Sequence, residues 1–287
     1  SMLPQVLQPN EKAGKIISDA AAWTGLRIGI PVACGTGDNA AAALGLAVKP
    51  GIPVISLGTS GTAYMLSLKA PADVSGQVFA HASASGEHLP LTCTLNATLA
   101  VDNIAQMLSL DRTEVADQTR VVVMPYLSGE RLPNYPVARG SVVGLDHTTA
   151  PGEILLAAYE GVAYSLVQSI EVLHAHSSGI DSDAPIILVG GGAKGKVWQK
   201  TILRLSGREL VIPKSAEFVA YGAAAQAAGV LNNETAVDVA ARWNVSDAKR
   251  LAASTVDSEA IERNKCIREA AHELNSSVLF NIPQRRT

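Results

Sequence analysis

Several kinds of chemistry are set aside by what this chain has little of. Its three cysteines, Cys34, Cys93 and Cys266, are far apart and form no C-x-x-C pair, so neither a disulfide framework nor a zinc site is indicated. Basic residues are not in surplus: 23 Lys and Arg stand against 26 Asp and Glu, and no Lys/Arg cluster interleaves with aromatics. A nucleic-acid partner is therefore excluded. No apolar run reaches the roughly 20 residues that a membrane-spanning helix needs, and the opening SMLPQVLQPNEKAGK lacks the apolar core of a signal peptide. These absences predict a cytoplasmic protein with no membrane contact. The leading Ser-Met has the look of a cloning remnant.

What is present is ample apolar material, 47% of 287 residues, enough for a sizeable core. Strand, glycine turn and helix follow one another repeatedly. IGIPVACG is a short apolar run ending in glycine, and DNAAAALGLAV after it has helical composition with Asp38 at the N-cap. IPVISLGTSGTAYMLSL reads as a hairpin, and QVFAHASA and LPLTCTLN as two further strands. The first half thus predicts a β-meander. Next come a buried strand in TRVVVMPYL, a Pro/Gly/Asn-rich excursion and another short strand. A long helix from residue 151 is predicted by Ile154, Leu155, Ala158, Val162, Leu166, Ile170 and Leu173 at three- and four-residue steps. IILVGGGAKGKVWQK is a strand, a glycine turn and a helix; ELVIP is a strand and AEFVAYGAAAQAAGVL a small-residue helix. From 232 onward ETAVDVAARW and EAIERNKCIREAAHELNSSVLF predict packing helices. One α/β domain with terminal helices is the economical reading.

Three stretches could carry chemistry. Gly190, Gly192 and Gly195 satisfy G-x-G-x-x-G after a strand, but Glu209 precedes the next strand, whereas a ribose-binding acid belongs at its far end. Gly190 to Lys196 also fits G-x-x-x-x-G-K, yet Val197 stands where a P-loop needs a hydroxyl for magnesium. What remains is a turn without side chains that lets backbone N–H groups approach an anion. Gly58, Thr59, Ser60 and Gly61 form a second such turn. In GTGDNAAAALG, Asp38 either caps a helix or is a carboxylate presented to take a proton from a substrate hydroxyl, with Asn39 beside it. Spacing alone leaves both open. His174 and His176 lie two apart on a helix and cannot chelate together, and no metal cluster or Ser-His-Asp arrangement is evident. Trp198 and Tyr126 read as packing residues.

Taken in order, GTGDNAAAALG, ISLGTSG, PYLSGERLPNYPVARGSVVGL, EGVAYSL, ILVGGGAKGKVWQK and EFVAYGAAAQAAG resemble the carboxy-terminal half of the FGGY carbohydrate kinases over residues 31–229. Gly37-Asp38-Asn39 followed by alanines is similar to the branch that acts on D-xylulose. The resemblance implies an actin-like, ribonuclease-H-type ATPase domain, a mixed sheet flanked by helices with additional carboxy-terminal helices. Its core is expected at about 28–231 and packing helices at 232–287. It implies ATP and Mg2+, with Asp38 as general base and Asn39 touching the sugar. Gly58, Thr59 and Ser60 would form a phosphate loop, Gly191, Gly192 and Ala193 the adenosine motif, and Thr148 a further nucleotide contact; no residue is implied as a metal ligand.

There are departures from the family pattern. An Asp-x-Gly-Thr hairpin and the sugar-binding domain that carries it are not found, so the chain is expected to be an excised carboxy-terminal half, inactive alone, with residues 3–30 as the lead-in. Gly195, Lys196 and Leu132 also differ from residues common in the family. A homodimer is compatible with the resemblance. Rival readings are a non-catalytic actin-like nucleotide-binding or assembly module, another FGGY sugar or polyol kinase, and a dehydrogenase domain using the Gly190 turn.

Overall fold

A computed structural model describes residues 4–272 apart from 216 and 244–246. Strand β1 (Lys12–Lys15), helix α1 (Ser18–Thr24) and strand β2 (Pro31–Ala33) come first, and the two strands pair antiparallel outside the main sheet. Helix α2 (Asp38–Gly45) is followed by β3 (Val54–Leu57), β4 (Gly61–Tyr64), β5 (Phe79–Ala82), β6 (His88–Thr94) and α3 (Thr98–Met107). Then come β7 (Val122–Met124) and β8 (Ser141–Val143), which pair with each other outside the main sheet, the long α4 (Pro151–His176), β9 (Ile186–Val189), α5 (Lys196–Ser206) and β10 (Leu210–Pro213). Helices α6 (Phe218–Asn232) and α7 (Ala236–Trp243), strand β11 (Ala248–Leu251) and helix α8 (Ser258–Ala270) complete the described chain.

Among the described residues seven strands form the central sheet, in the order β11-β10-β9-β3-β4-β6-β5. β3, β9 and β10 run parallel, while the remaining neighbours are antiparallel. Alternate side chains divide between two cores, as the period of two requires. Ile55, Leu57, Ile186, Leu188 and Leu210 face α4 and α5, whereas Val54, Tyr64, Leu66, Leu89 and Leu91 face α2, α6 and α7. The result is a three-layer α/β domain, as predicted.

The meander expected in the first half is not what forms. β6 is inserted between β4 and β5, because its HLPLTCT run is buried along most of its length while the largely exposed FAHA of β5 suits an edge. The stretch after 232 is also not purely helical, since β11 pairs antiparallel with β10. Of the helix expected over 259–280, residues 273–280 lie outside the described residues. Helix α3 has no counterpart among the expected elements. Of the expected lead-in over 3–30, the described residues 4–30 include β1 and α1 on the surface, and α1 buries none of its side chains.

Helix α4 explains its own length. Pro151 at its start and the Glu153 carboxylate returning to the Ala150 N–H at 3.1 Å fix its beginning. Thereafter most of it is buried, with Gly161 so close to β7 that a Cβ would lie 2.2 Å from the Val123 carbonyl oxygen. Among the described residues no helix is long and apolar enough to cross a membrane.

Candidate active site

Two glycine turns are brought together by the pairing of β3 with β9. Ser56 is in register with Val189, so the β3–β4 turn and the β9–α5 turn leave the same end of two adjacent parallel strands. Gly58, Thr59, Gly191, Gly192, Gly195 and Lys196 then line one hollow of about 510 Å³. The β3–β4 turn is closed by Gly58 N–H donating to the Ser60 carbonyl at 3.0 Å. On the other side Gly190 has φ +91°, and residues 191–194 make one 3₁₀ turn before α5 begins.

The glycines differ in what they do. A Cβ on Gly192 would press on Leu57 and on Thr98 Cγ2, at 2.7 and 2.8 Å respectively, whereas one on Gly191 would meet nothing within 4 Å. Gly191 therefore leaves space at the hollow, not room for its own protein. Ser60 and Ala193 do not line it. Ser60 closes its turn through its carbonyl, and Ala193, buried in the core, donates its N–H to the Gly190 carbonyl at 3.1 Å.

Most of the remaining wall comes from residues that the motifs did not single out. Thr98 donates its hydroxyl to the Gly58 carbonyl at 2.9 Å, and Asp102 pairs with Arg112 at 2.7 Å. Tyr159 and Trp198 meet edge-on with ring centroids 4.5 Å apart. Burial pushes the Tyr159 phenol up to about 12, against the opposing pull of Arg112. Trp198 is a packing residue, as expected, whose edge also reaches the hollow; Tyr126 is wholly buried, its oxygen accepting from Arg268 at 2.6 Å. A signal for the missed wall existed: in TLAVDNIAQM the apolar Val101, Ile104 and Ala105 repeat at helical steps and are buried.

Thr148 is not gathered with these residues. Its N–H and hydroxyl both donate to Asp146 Oδ1 at 2.7 Å, and it lines a different hollow with Arg120, Glu160 and Arg263. Glu209, the candidate ribose acid of a dinucleotide fold, is paired with Arg250 at 2.7 Å.

Asp38 and Asn39 also lie outside the glycine-lined hollow, on α2 across the sheet. Asp38 stands one residue inside the helix rather than at the N-cap, since the Gly37 carbonyl already accepts the first helical bond, from the Ala41 N–H at 2.8 Å. The side chain is exposed. Its Oδ1 accepts the Asn39 N–H at 2.7 Å and the Asn39 side-chain amide at 3.1 Å; Oδ2 accepts no hydrogen bond from the described residues. Beneath it lies the buried Tyr64, whose phenol is held well above its ordinary range by burial first and the Asp38 charge second.

The small residues of α2 have a packing reason. A Cβ on Gly222 of α6 would come 1.9 Å from the Ala41 carbonyl oxygen, and one on Gly45 2.1 Å from that of Phe218. The helices touch backbone to backbone. Gln226, buried in α6, donates to the carbonyls of Pro9 and Gly35 at 2.9 and 3.3 Å, tying the loop before Asp38 to the same helix.

Known proteins share this architecture. Residues 54–230 match the FGGY family of carbohydrate kinases, C-terminal domain. The chain is 48% identical over 263 residues to a xylulose kinase of Streptomyces rubiginosus and 50% identical over 266 residues to one of Streptomyces coelicolor; each match covers 92% of this chain and 54% of the relative. The chain therefore spans about half the length of the curated relatives it matches. Among solved structures, a xylulose kinase from Bifidobacterium adolescentis is similar with a TM-score of 0.76 and 30% identity, over 92% of this chain and 53% of that one. A xyloylose kinase from Brucella ovis has a TM-score of 0.82 at 26% identity, over 94% and 58%.

Proposed function

The chain belongs to the FGGY family of carbohydrate kinases, and from that membership we propose that it is the nucleotide-binding half of an enzyme that phosphorylates D-xylulose with ATP. The observation that carries the reading is the meeting of Gly58–Thr59 with Gly191–Gly192 at one hollow. Phosphoryl transfer relies on positioning and charge stabilisation more than on covalent chemistry, and these turns offer N–H groups, a hydroxyl and the exposed Lys196 to phosphate oxygens. The open side of Gly191 lets the nucleotide approach the backbone. Ser60 and Ala193 serve by holding the two turns in shape.

Asp38 is the general base. Its unengaged Oδ2 takes the proton from the terminal sugar hydroxyl, whose oxygen forms a bond to the γ-phosphorus as the bond to ADP breaks. Asn39 holds Oδ1 and orients the sugar. Among the described residues Asp102 is the one carboxylate lining the hollow, and it is paired with Arg112; no group of three or more His, Cys, Asp or Glu among them could hold a metal ion. The described residues thus do not by themselves fit a magnesium site, and the ion would enter as the companion of ATP.

Because the chain spans 54% of its Streptomyces relatives, its complement is proposed to be an amino-terminal, sugar-binding half. This chain alone then binds nucleotide without turning over, in a cytoplasmic enzyme. Calorimetry with ATP and with NADH on this chain, beside a coupled ADP assay with D-xylulose on the full-length protein, tests the reading. ATP binding with xylulose-dependent ADP release is expected. ATP binding without sugar-dependent turnover would leave a nucleotide-binding module, and NADH binding in place of ATP a dinucleotide domain.

A further inference from the structure

We propose that Glu130 is a positioning residue that sets the shape of the Gly58–Thr59 turn, and through it the affinity for ATP, without touching the nucleotide. The inference rests on the kinase reading above. Glu130 does not line the hollow and is only 2% exposed. Its carboxylate is a convergence point for donors. Oε1 accepts the N–H of Leu95 at 2.6 Å and of Arg131 at 2.8 Å, and Oε2 accepts the Asn96 side-chain amide at 2.9 Å. The same amide donates to the Gly129 carbonyl at 2.7 Å.

The next two residues carry the constraint onward. Ala97 donates its N–H to the Thr59 carbonyl at 3.2 Å, and Thr98 donates N–H and hydroxyl to the Gly58 carbonyl at 3.1 and 2.9 Å. One short chain of contacts therefore runs from the carboxylate through residues 95–98 to the turn. Glu130 is itself clasped, because its N–H and carbonyl exchange bonds with Tyr135 at 2.8 and 2.9 Å. Gly129, at φ +71°, lies so close to Pro136 that a Cβ would be 2.4 Å from its carbonyl oxygen.

No ion pair accounts for a carboxylate here. Glu130 has no ion-pair partner among the described residues; the neighbouring Arg131 guanidinium lies over the Phe79 ring instead, 5.1 Å from its centroid. Burying an unpaired charge is costly unless hydrogen bonds compensate it. Three donors arriving at one group, however, need a side chain that only accepts. An amide would turn its own NH2 toward the Asn96 amide, donor against donor.

Glu130→Gln in the full-length protein tests this. Displacing a substrate-positioning loop costs rate or affinity steeply, so KM for ATP is expected to rise about tenfold or more while KM for D-xylulose stays within about twofold. Asn96→Ser, which leaves Oε1 and both its N–H donors in place, is a milder companion variant expected to move KM for ATP in the same direction should Glu130→Gln fail to fold. An unchanged KM for ATP in a folded variant would overturn the inference, as would equal rises in both KM values accompanied by a lowered Tm. Absence of xylulose-dependent turnover in the unmodified protein would instead defeat the kinase reading beneath it.

Discussion

Gly190 lies against the backbone of Leu57 so closely that a Cβ would stand 2.6 Å from the Leu57 carbonyl oxygen and 2.9 Å from its nitrogen. This contact, between the ends of two parallel strands, makes a single hollow out of two glycine turns. Gly190→Ala is expected to destabilise the chain by about 2 kcal/mol or more, through the collision and the left-handed φ together. Gly191→Val, with open space around its Cβ, is expected to leave stability within about 0.5 kcal/mol but to weaken ATP binding about tenfold or more. Denaturant melts and calorimetry on the two variants separate fold from ligand; equal ATP affinity in Gly191→Val and the parent would remove the turn from nucleotide binding.

The α2–α6 contact gives a second expectation. Gly222→Val drives a branched side chain into the Ala41 carbonyl, from which even a Cβ would be 1.9 Å away. A loss of about 3 kcal/mol is expected, and because α2 carries Asp38 the variant should lose turnover at temperatures where it is still folded. A Tm unchanged from the parent would show that the helices are further apart than described.

A third expectation concerns pH. Burial raises the Asp257 pKa, but the Ala260 N–H and the Arg204 guanidinium outweigh it and the carboxyl ends below its ordinary value. A carboxylate depressed in the folded state stabilises fully above its unfolded pKa, and that contribution is lost as pH falls through the folded value. Tm should therefore fall on acidification from about pH 5 toward about pH 2. Asp257→Asn, which keeps an N-cap acceptor for α8, should show a shallower fall in that window. Parallel curves for parent and variant would contradict the assignment.

How much of this was legible in the sequence depended on the range over which each signal acts. The long helix, the hairpin turn at Gly58 and the glycine turn after β9 are local, and each reads directly from periodicity or turn chemistry. The insertion of β6 between β4 and β5 is a choice among pairings, decided by burial on both faces of the sheet, and no local pattern marks it. The residue type of Asp38 is compatible with a cap and with a base alike, and it is the backbone that gives the capping place to Gly37. The wall of the hollow combines Thr98 and Asp102, from an unrecognised helix, with Tyr159 of the long helix, about thirty residues before the second turn, and only the tertiary fold brings them together. Glu130 was visible only as part of a motif; its partners at 95 and 96 appear when β6 is set beside the 126–138 loop.

The most direct test of the account is a phosphorus-31 NMR measurement of transfer from ATP to D-xylulose by the full-length protein, with and without Asp38→Asn, alongside ATP binding by each. The account predicts D-xylulose 5-phosphate formed in step with ADP by the parent. The variant should lose about a hundredfold to ten-thousandfold of that rate at nearly unchanged ATP affinity. A variant that transfers phosphate at close to the parent rate, or a parent that transfers none, would contradict it.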